Sequence, residues 1–202
     1  MRPGKTGFLA ILAGLCVALA GCGQQPADPG AVRPGGPGLT KQDVERQDSV
    51  DAWADGYCGA VGFLVDGLAT MPTVDPSTPR RAVQTSSDLL GSMIGGLDKA
   101  ARSLQTLPPS PAAGGETVRA NTLAEIAGIR ERATGAKQRL DAARDDATIA
   151  KDTLGEASGP LDEVSKLNLL SGFDTVPELA TAAGHAPVCQ QLTARASTTP
   201  TR

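Results

Sequence analysis

Apolar residues recur at helical spacing along most of the chain. Val50, Trp53, Tyr57, Val61, Leu64 and Leu68 are three or four positions apart, which places them on one helix face. Thr40 with Asp43 three residues on is a loose capping box and marks the start; Met71-Pro72 marks the end. A second helix is predicted after Asp75-Pro76-Ser77-Thr78-Pro79, with its seam at Val83, Leu90, Met93, Leu97, Ala100, Leu104 and Leu107. Leu107-Pro108-Pro109-Ser110-Pro111 stops it.

The third pattern is the most regular. Alternating steps of four and three from Thr122 reach Ile126, Ile129, Ala133, Ala136, Leu140, Ala143, Ala147, Ala150, Leu154 and Ala157, and only Thr122 is polar. This is a period of 3.5, so the helix should lie nearly parallel or antiparallel to its neighbours. Its many alanines let a partner approach closely. Gly159-Pro160 should break or kink it. Leu161, Val164 and Leu167 continue an apolar face. Thr175-Val176-Pro177-Glu178 predicts a short helix to about Ala183, stopped by Gly184. Pro187 to Leu192 adds a last turn or two. No segment carries a strand pattern. The expected fold is all-α: an up-down helical bundle of three long helices plus short C-terminal helices, with the C-terminal pieces running back down.

The first residues change the picture of where this bundle resides. Arg2 and Lys5 precede an apolar run from Phe8 to Ala20, which is shorter than the roughly 20 residues of a membrane span. Leu19-Ala20-Gly21-Cys22 follows and resembles the lipobox of bacterial lipoproteins. Residues 1–21 are therefore expected to be a signal peptide, and Cys22 the lipidated first residue of the mature chain. Two acyl chains on Cys22 give stable anchoring where one gives marginal attachment. The expected location is the extracytoplasmic face of a cell membrane. The alternative is an ordinary secretory signal with a chance Cys. Residues 22–39 carry four Pro and five Gly with no apolar period, and are expected to be a disordered tether. The bundle is expected over 40–192, with a disordered tail over 193–202.

Charge and composition narrow the function classes. The chain carries 19 basic and 22 acidic residues, a net −3. Losing Arg2 and Lys5 leaves 17 basic residues and a net −5. Such a balance argues against binding nucleic acid by phosphate neutralisation. Aromatic residues make up only 2% of the chain, too few for a sugar cleft or a base-stacking surface.

Four cysteines are present. Cys16 leaves with the signal peptide and Cys22 becomes a thioether. Cys58 and Cys189 remain, and in an oxidising compartment they are expected to form one disulfide. The alternative is a redox or metal-binding thiol pair. Their wide separation is unlike a Cys-x-x-Cys redox motif, and with His185 they are one ligand short of a closed zinc site. No cofactor or metal is expected.

Candidate chemistry is sparse. Trp53, Tyr57 and Phe63 sit on the first helix, either as a core stripe or as a ligand platform. His185 follows Gly184 and is read as a helix cap, since no catalytic motif surrounds it. Asp141, Asp145, Asp146 and Asp152 are read as a solvated face, with a weak cation site as the alternative. Gly56, Gly59 and Gly62 step by three, and Gly91 and Gly95 form Gly-x-x-x-Gly. Close packing of the first two helices is the plain account. A groove at Trp53, Gly56, Gly59, Gly91 and Gly95, open to a ligand or a partner helix, is the other.

The lipobox, the Pro/Gly tether, Ala52-Trp53-Ala54-x-x-Tyr57-Cys58 and the late Cys189 together resemble a class of actinobacterial small secreted lipoproteins. The resemblance covers roughly residues 10–70 and 187–192. It implies a helical domain anchored outside the membrane and adds no activity. The expected function is thus a non-enzymatic binding or protein-interaction module of the envelope, with a protein or lipid partner. A structural spacer without a ligand is the alternative, and a carboxylate-dependent enzyme is a third reading.

Overall fold

Three long helices lie side by side and alternate in direction. A computed structural model describes residues 40–144 and 153–198. Helix α1 spans Lys41–Ala69, α2 Pro79–Thr106 and α3 Gly115–Ala143. Shorter helices follow: α4 Ser158–Lys166, α5 Pro177–His185 and α6 Pro187–Thr198. Tight 3-10 turns precede α4 at Gly155–Ala157 and α5 at Ser171–Thr175. The described residues contain no strand. The fold is all-α, as the periodicity predicts.

The helix boundaries follow from local chemistry. Thr40 caps α1, taking a bond from the Asp43 amide while the Asp43 carboxylate accepts from the Thr40 amide. These two bonds satisfy donors that a helix start leaves open. Thr78 caps α2 by a single bond, its hydroxyl accepting from the Arg81 amide, and Pro79 occupies the first turn, where its missing N–H costs nothing. Gly114 before α3 has a φ of 91°, a left-handed conformation that side chains rarely adopt. The helical ladder tightens to the 3-10 turn at Gly155–Ala157 just before Pro160. Pro160 itself lies in the first turn of α4 and is buried there.

The predicted seams are the core. Val50, Trp53, Tyr57, Val61 and Leu64 of α1 are buried, as are Val83, Leu90, Met93, Leu97, Ala100 and Leu104 of α2. Ile126, Ile129, Ala133, Ala136, Leu140 and Ala143 of α3 complete the layer. Ala147 and Ala150 of the predicted seam lie outside the described residues. Side-chain positions give the register. Leu107 sits against Gly56 and Gly96 against Gly67, so α2 runs antiparallel to α1. Asp98 pairs with Arg130 and Ser87 with Asp141, so α3 runs antiparallel to α2 along its length. The N-terminal part of α2 therefore extends past the end of α1.

The C-terminal course differs from the expectation. α4 does descend along α3, with Glu163 against Arg132 at 2.6 Å. The chain then turns, and α5 and α6 ascend parallel to α1. Contacts rise in step along both: Arg46 with Glu178, Asp55 with Val188, and Asp66 with Arg195. The reversal follows from α4 having already covered α3, which leaves the outer face of α1 as the apolar surface to bury. Helix α6 also continues beyond Leu192 to Thr198, held by the Arg195–Asp66 pair at 3.0 Å.

Candidate functional site

Two features hold the C-terminal helices on α1. The first is the disulfide between Cys58 and Cys189, whose Cα atoms are 5.1 Å apart. Both cysteines are buried, and the bridge joins residues 131 positions apart. The second is an aromatic cluster. Phe173, on the turn before α5, packs 4.8 Å from Tyr57 and 6.4 Å from Trp53 between ring centroids. Trp53 and Tyr57 are one helical turn apart and 5.4 Å apart. Both polar tips are satisfied. The Trp53 Nε1 donates to the Pro108 carbonyl at 3.0 Å. The Tyr57 hydroxyl donates to the Leu169 carbonyl at 3.0 Å and shares a 2.6 Å bond with the Thr122 hydroxyl. Burial raises the Tyr57 pKa from 10.0 to about 12, partly opposed by the Thr122 bond.

This cluster decides the reading of the helix-one aromatics. Trp53 and Tyr57 are core. Phe63 is not part of the stripe: it is exposed, with the Lys99 ammonium 4.2 Å above its ring. Thr122, the polar exception in the third seam, is buried because it bonds Tyr57. Phe173 lies in a short, irregular stretch with no period, so the sequence offered no signal for it.

The five groove residues do not come together as one opening. A Cβ on Gly56 would meet Leu107 Cδ2 at 2.9 Å, and one on Gly91 would meet Lys137 Cε at 3.4 Å. Long side chains from the following loop and from α3 occupy those two spaces. Gly59 and Gly95 have no atom within 4 Å of a Cβ, and Trp53 is buried. The close approach of α1 and α2 is at Gly67 and Gly96 instead, where a Cβ on Gly67 would stand 3.2 Å from the Gly96 Cα.

Asp141 is bound rather than free. It accepts from Ser87 Oγ at 2.6 Å, from Lys137 Nζ at 2.7 Å and from Arg144 Nη2 at 2.9 Å. The Lys137 bond, then Ser87, holds its carboxyl below the ordinary carboxylate range. The group ties α2 to α3. Asp145, Asp146 and Asp152 lie outside the described residues, as does Cys22. Among the described residues no three His, Cys, Asp or Glu side chains converge on a metal position. No described helix is long and apolar enough to cross a membrane.

One of several surface clefts lies between the first turns of α1 and helix α5. It has a volume of about 320 Å³ and is lined by Asp43, Arg46, Asp51, Glu178, Val50 and Ala182, among others. Val50 and Ala182 are buried and form an apolar floor. Arg46 pairs with Glu178 at 2.6 Å across the rim. Asp43 is engaged with Thr40, whose bonds hold its carboxyl below the ordinary range. Asp51 differs from both: its Oδ1 is buried with no hydrogen-bond partner. Its Oδ2 lies 3.8 Å from His185 Nδ1, beyond hydrogen-bond length. His185 thus ends α5 facing Asp51. No sequence signal marks Asp51, because one Asp on a polar helix face has no motif around it.

No family model, curated protein or solved structure matches this chain.

Proposed function

We propose that this chain is a lipid-anchored, non-enzymatic binding or interaction module on the outer face of a cell membrane. Lipidation of Cys22 is the anchor, and residues 23–39 are the spacer between bilayer and bundle. The Cys58–Cys189 bridge supports an exported domain, because disulfides persist in oxidising compartments. The observation that carries the binding role is the α1–α5 cleft. It sets an apolar floor of Val50 and Ala182 beneath a polar and charged rim, a concave surface suited to binding. A structural spacer would have no use for it.

Membrane fractionation with wild type and Cys22→Ala tests the anchor. The wild type should sediment with membranes and the variant should appear in the soluble exported fraction. Continued membrane association of Cys22→Ala contradicts anchoring through that residue. Affinity capture of the anchored protein, with mass spectrometry of proteins and lipids, tests the module reading. Reproducible enrichment of one protein or lipid supports it, and its absence favours the spacer.

A further inference from the structure

We propose that the Leu107–Pro111 loop is a proline ridge that docks an aromatic side chain, a Tyr or Trp ring, of a protein partner. This goes beyond the α1–α5 cleft and depends neither on that cleft nor on the anchor.

The ridge begins in covalent geometry. A residue that precedes proline is pushed out of the α region toward extended or polyproline II backbone. Leu107, Pro108 and Ser110 each precede a proline. Leu107 has φ −61° and ψ 142°, within the scatter of polyproline II. The loop is also held from behind. The Trp53 Nε1 donates to the Pro108 carbonyl at 3.0 Å. Arg119 Nη1 donates to the Leu107 carbonyl at 2.8 Å and to the Pro108 carbonyl at 3.3 Å. The Glu116 carboxylate accepts from the Ser110 amide at 2.6 Å. Pro108 and Pro109 stay exposed on the far side of these bonds. The loop is therefore ordered by folding, and a partner does not have to order it again.

The chemistry beside the ridge selects the occupant. An open cleft of about 370 Å³ lies between the prolines and Ser49 and Ala52 of α1, next to Trp53. No charged side chain lines it. Its polar groups are already committed. The Ser49 hydroxyl donates to the Glu45 carbonyl at 2.7 Å, and the Leu107 and Pro108 carbonyls are taken by Arg119 and Trp53. Prolines have no N–H to offer. A charged or strongly polar head group would lose its water here and gain no bond in return. Proline-rich polyproline II segments are recognised by aromatic side chains that pack between their rings. A Tyr or Trp ring adds large contact area at low entropy cost, and its polar tip stays in water at the open mouth. The cleft is too short to sheathe an acyl chain, whose affinity grows with every buried CH₂.

The test is an NMR titration of the full exported chain, read at the indole N–H of Trp53, the only tryptophan, and at the amides of Ala52 and Ala112. The probes are acetyl-Ala-Tyr-Ala-amide, acetyl-Ala-Leu-Ala-amide and p-cresol. The Tyr peptide should shift these signals with a Kd of about 10 mM or tighter. The Leu peptide should bind at least about threefold more weakly, and p-cresol no more tightly than the Tyr peptide. Ala52→Glu, at an exposed helix position, puts a charge into the cleft and should weaken the Tyr peptide at least about tenfold. Glu163→Gln on α4 should leave it unchanged. The wild-type comparison of the two peptides stands even if Ala52→Glu fails to fold. Equal responses to the two peptides would overturn the proposal, as would no shift at these signals up to about 50 mM of either. Binding of p-cresol without the Tyr peptide would mark a small-molecule site and overturn the protein partner. Shifts confined to Thr181 and Ala182 would put the probe in the α1–α5 cleft, which defeats the ridge and spares the reading above. Membrane association of Cys22→Ala defeats the anchor and leaves the ridge as it stands.

Discussion

Tyr57 supplies a quantitative test because it is the only tyrosine in the chain. Its ring is fully buried, and its hydroxyl is bonded to Thr122 and to the Leu169 carbonyl. Ionising it would place a charge in the core beside a carbonyl oxygen that can only accept. The raised pKa, about 12 against 10.0, expresses that cost. At about 1.36 kcal/mol per pH unit, the shift corresponds to roughly 3 kcal/mol. The sign follows from linkage. The folded pKa exceeds the unfolded one, so this stability is fully present below pH 10. It is lost progressively as pH rises from about 10 to about 12. Tyrosinate absorbance should give a midpoint near 12 in the folded protein and near 10 in concentrated urea. Helical ellipticity on the same samples shows whether unfolding accompanies the titration. Tyr57→Phe removes two neutral hydrogen bonds, a loss of about 1–3 kcal/mol at neutral pH. The variant should also lack the part of the alkaline loss that belongs to Tyr57. A folded-state midpoint near 10, with ellipticity unchanged, would refute the buried, doubly bonded hydroxyl.

Other consequences follow from the same packing. Replacing Cys58 and Cys189 by Ala should lower stability by up to about 5 kcal/mol, read by urea unfolding, because the bridge closes a long loop. A loss below about 1 kcal/mol would show the bridge to be incidental. Gly67→Ala should destabilise by about 1–3 kcal/mol, since its Cβ would press on the Gly96 backbone, which cannot yield as a side chain can. Gly59→Ala, with open space around its Cβ, should instead stabilise by up to about 1 kcal/mol through helix propensity. Paired thermal melts check both signs. Phe173→Ala should cost about 3–5 kcal/mol and red-shift the fluorescence of Trp53, the only tryptophan.

The long helices were legible because each buries one continuous stripe, and a stripe is visible as spacing. The cap at Thr40 and the Pro79 start were legible because their chemistry is local. The disulfide was legible from cysteine arithmetic once Cys16 and Cys22 were set aside. The direction of α5 and α6 was not, because nothing in a nine-residue amphipathic segment says which neighbour it covers. Phe173 joins the core from a turn, where periodicity has no meaning. The glycine pattern was visible, but its consequence depended on what lay opposite. Leu107 and Lys137 fill two of the five positions, and the tight crossing belongs to Gly67 and Gly96. Asp51 was invisible for a related reason. What sets it apart is an oxygen without a donor, and a missing partner is a property of three-dimensional surroundings.

The central claim, an anchored module outside the membrane, is tested most directly at the N-terminus of the protein purified from its native membranes. Mass spectrometry of the first proteolytic peptide should find Cys22 as the terminal residue, carrying a diacylglyceryl group in thioether linkage. A mature chain that begins elsewhere, or a Cys22 with a free thiol, would contradict the account.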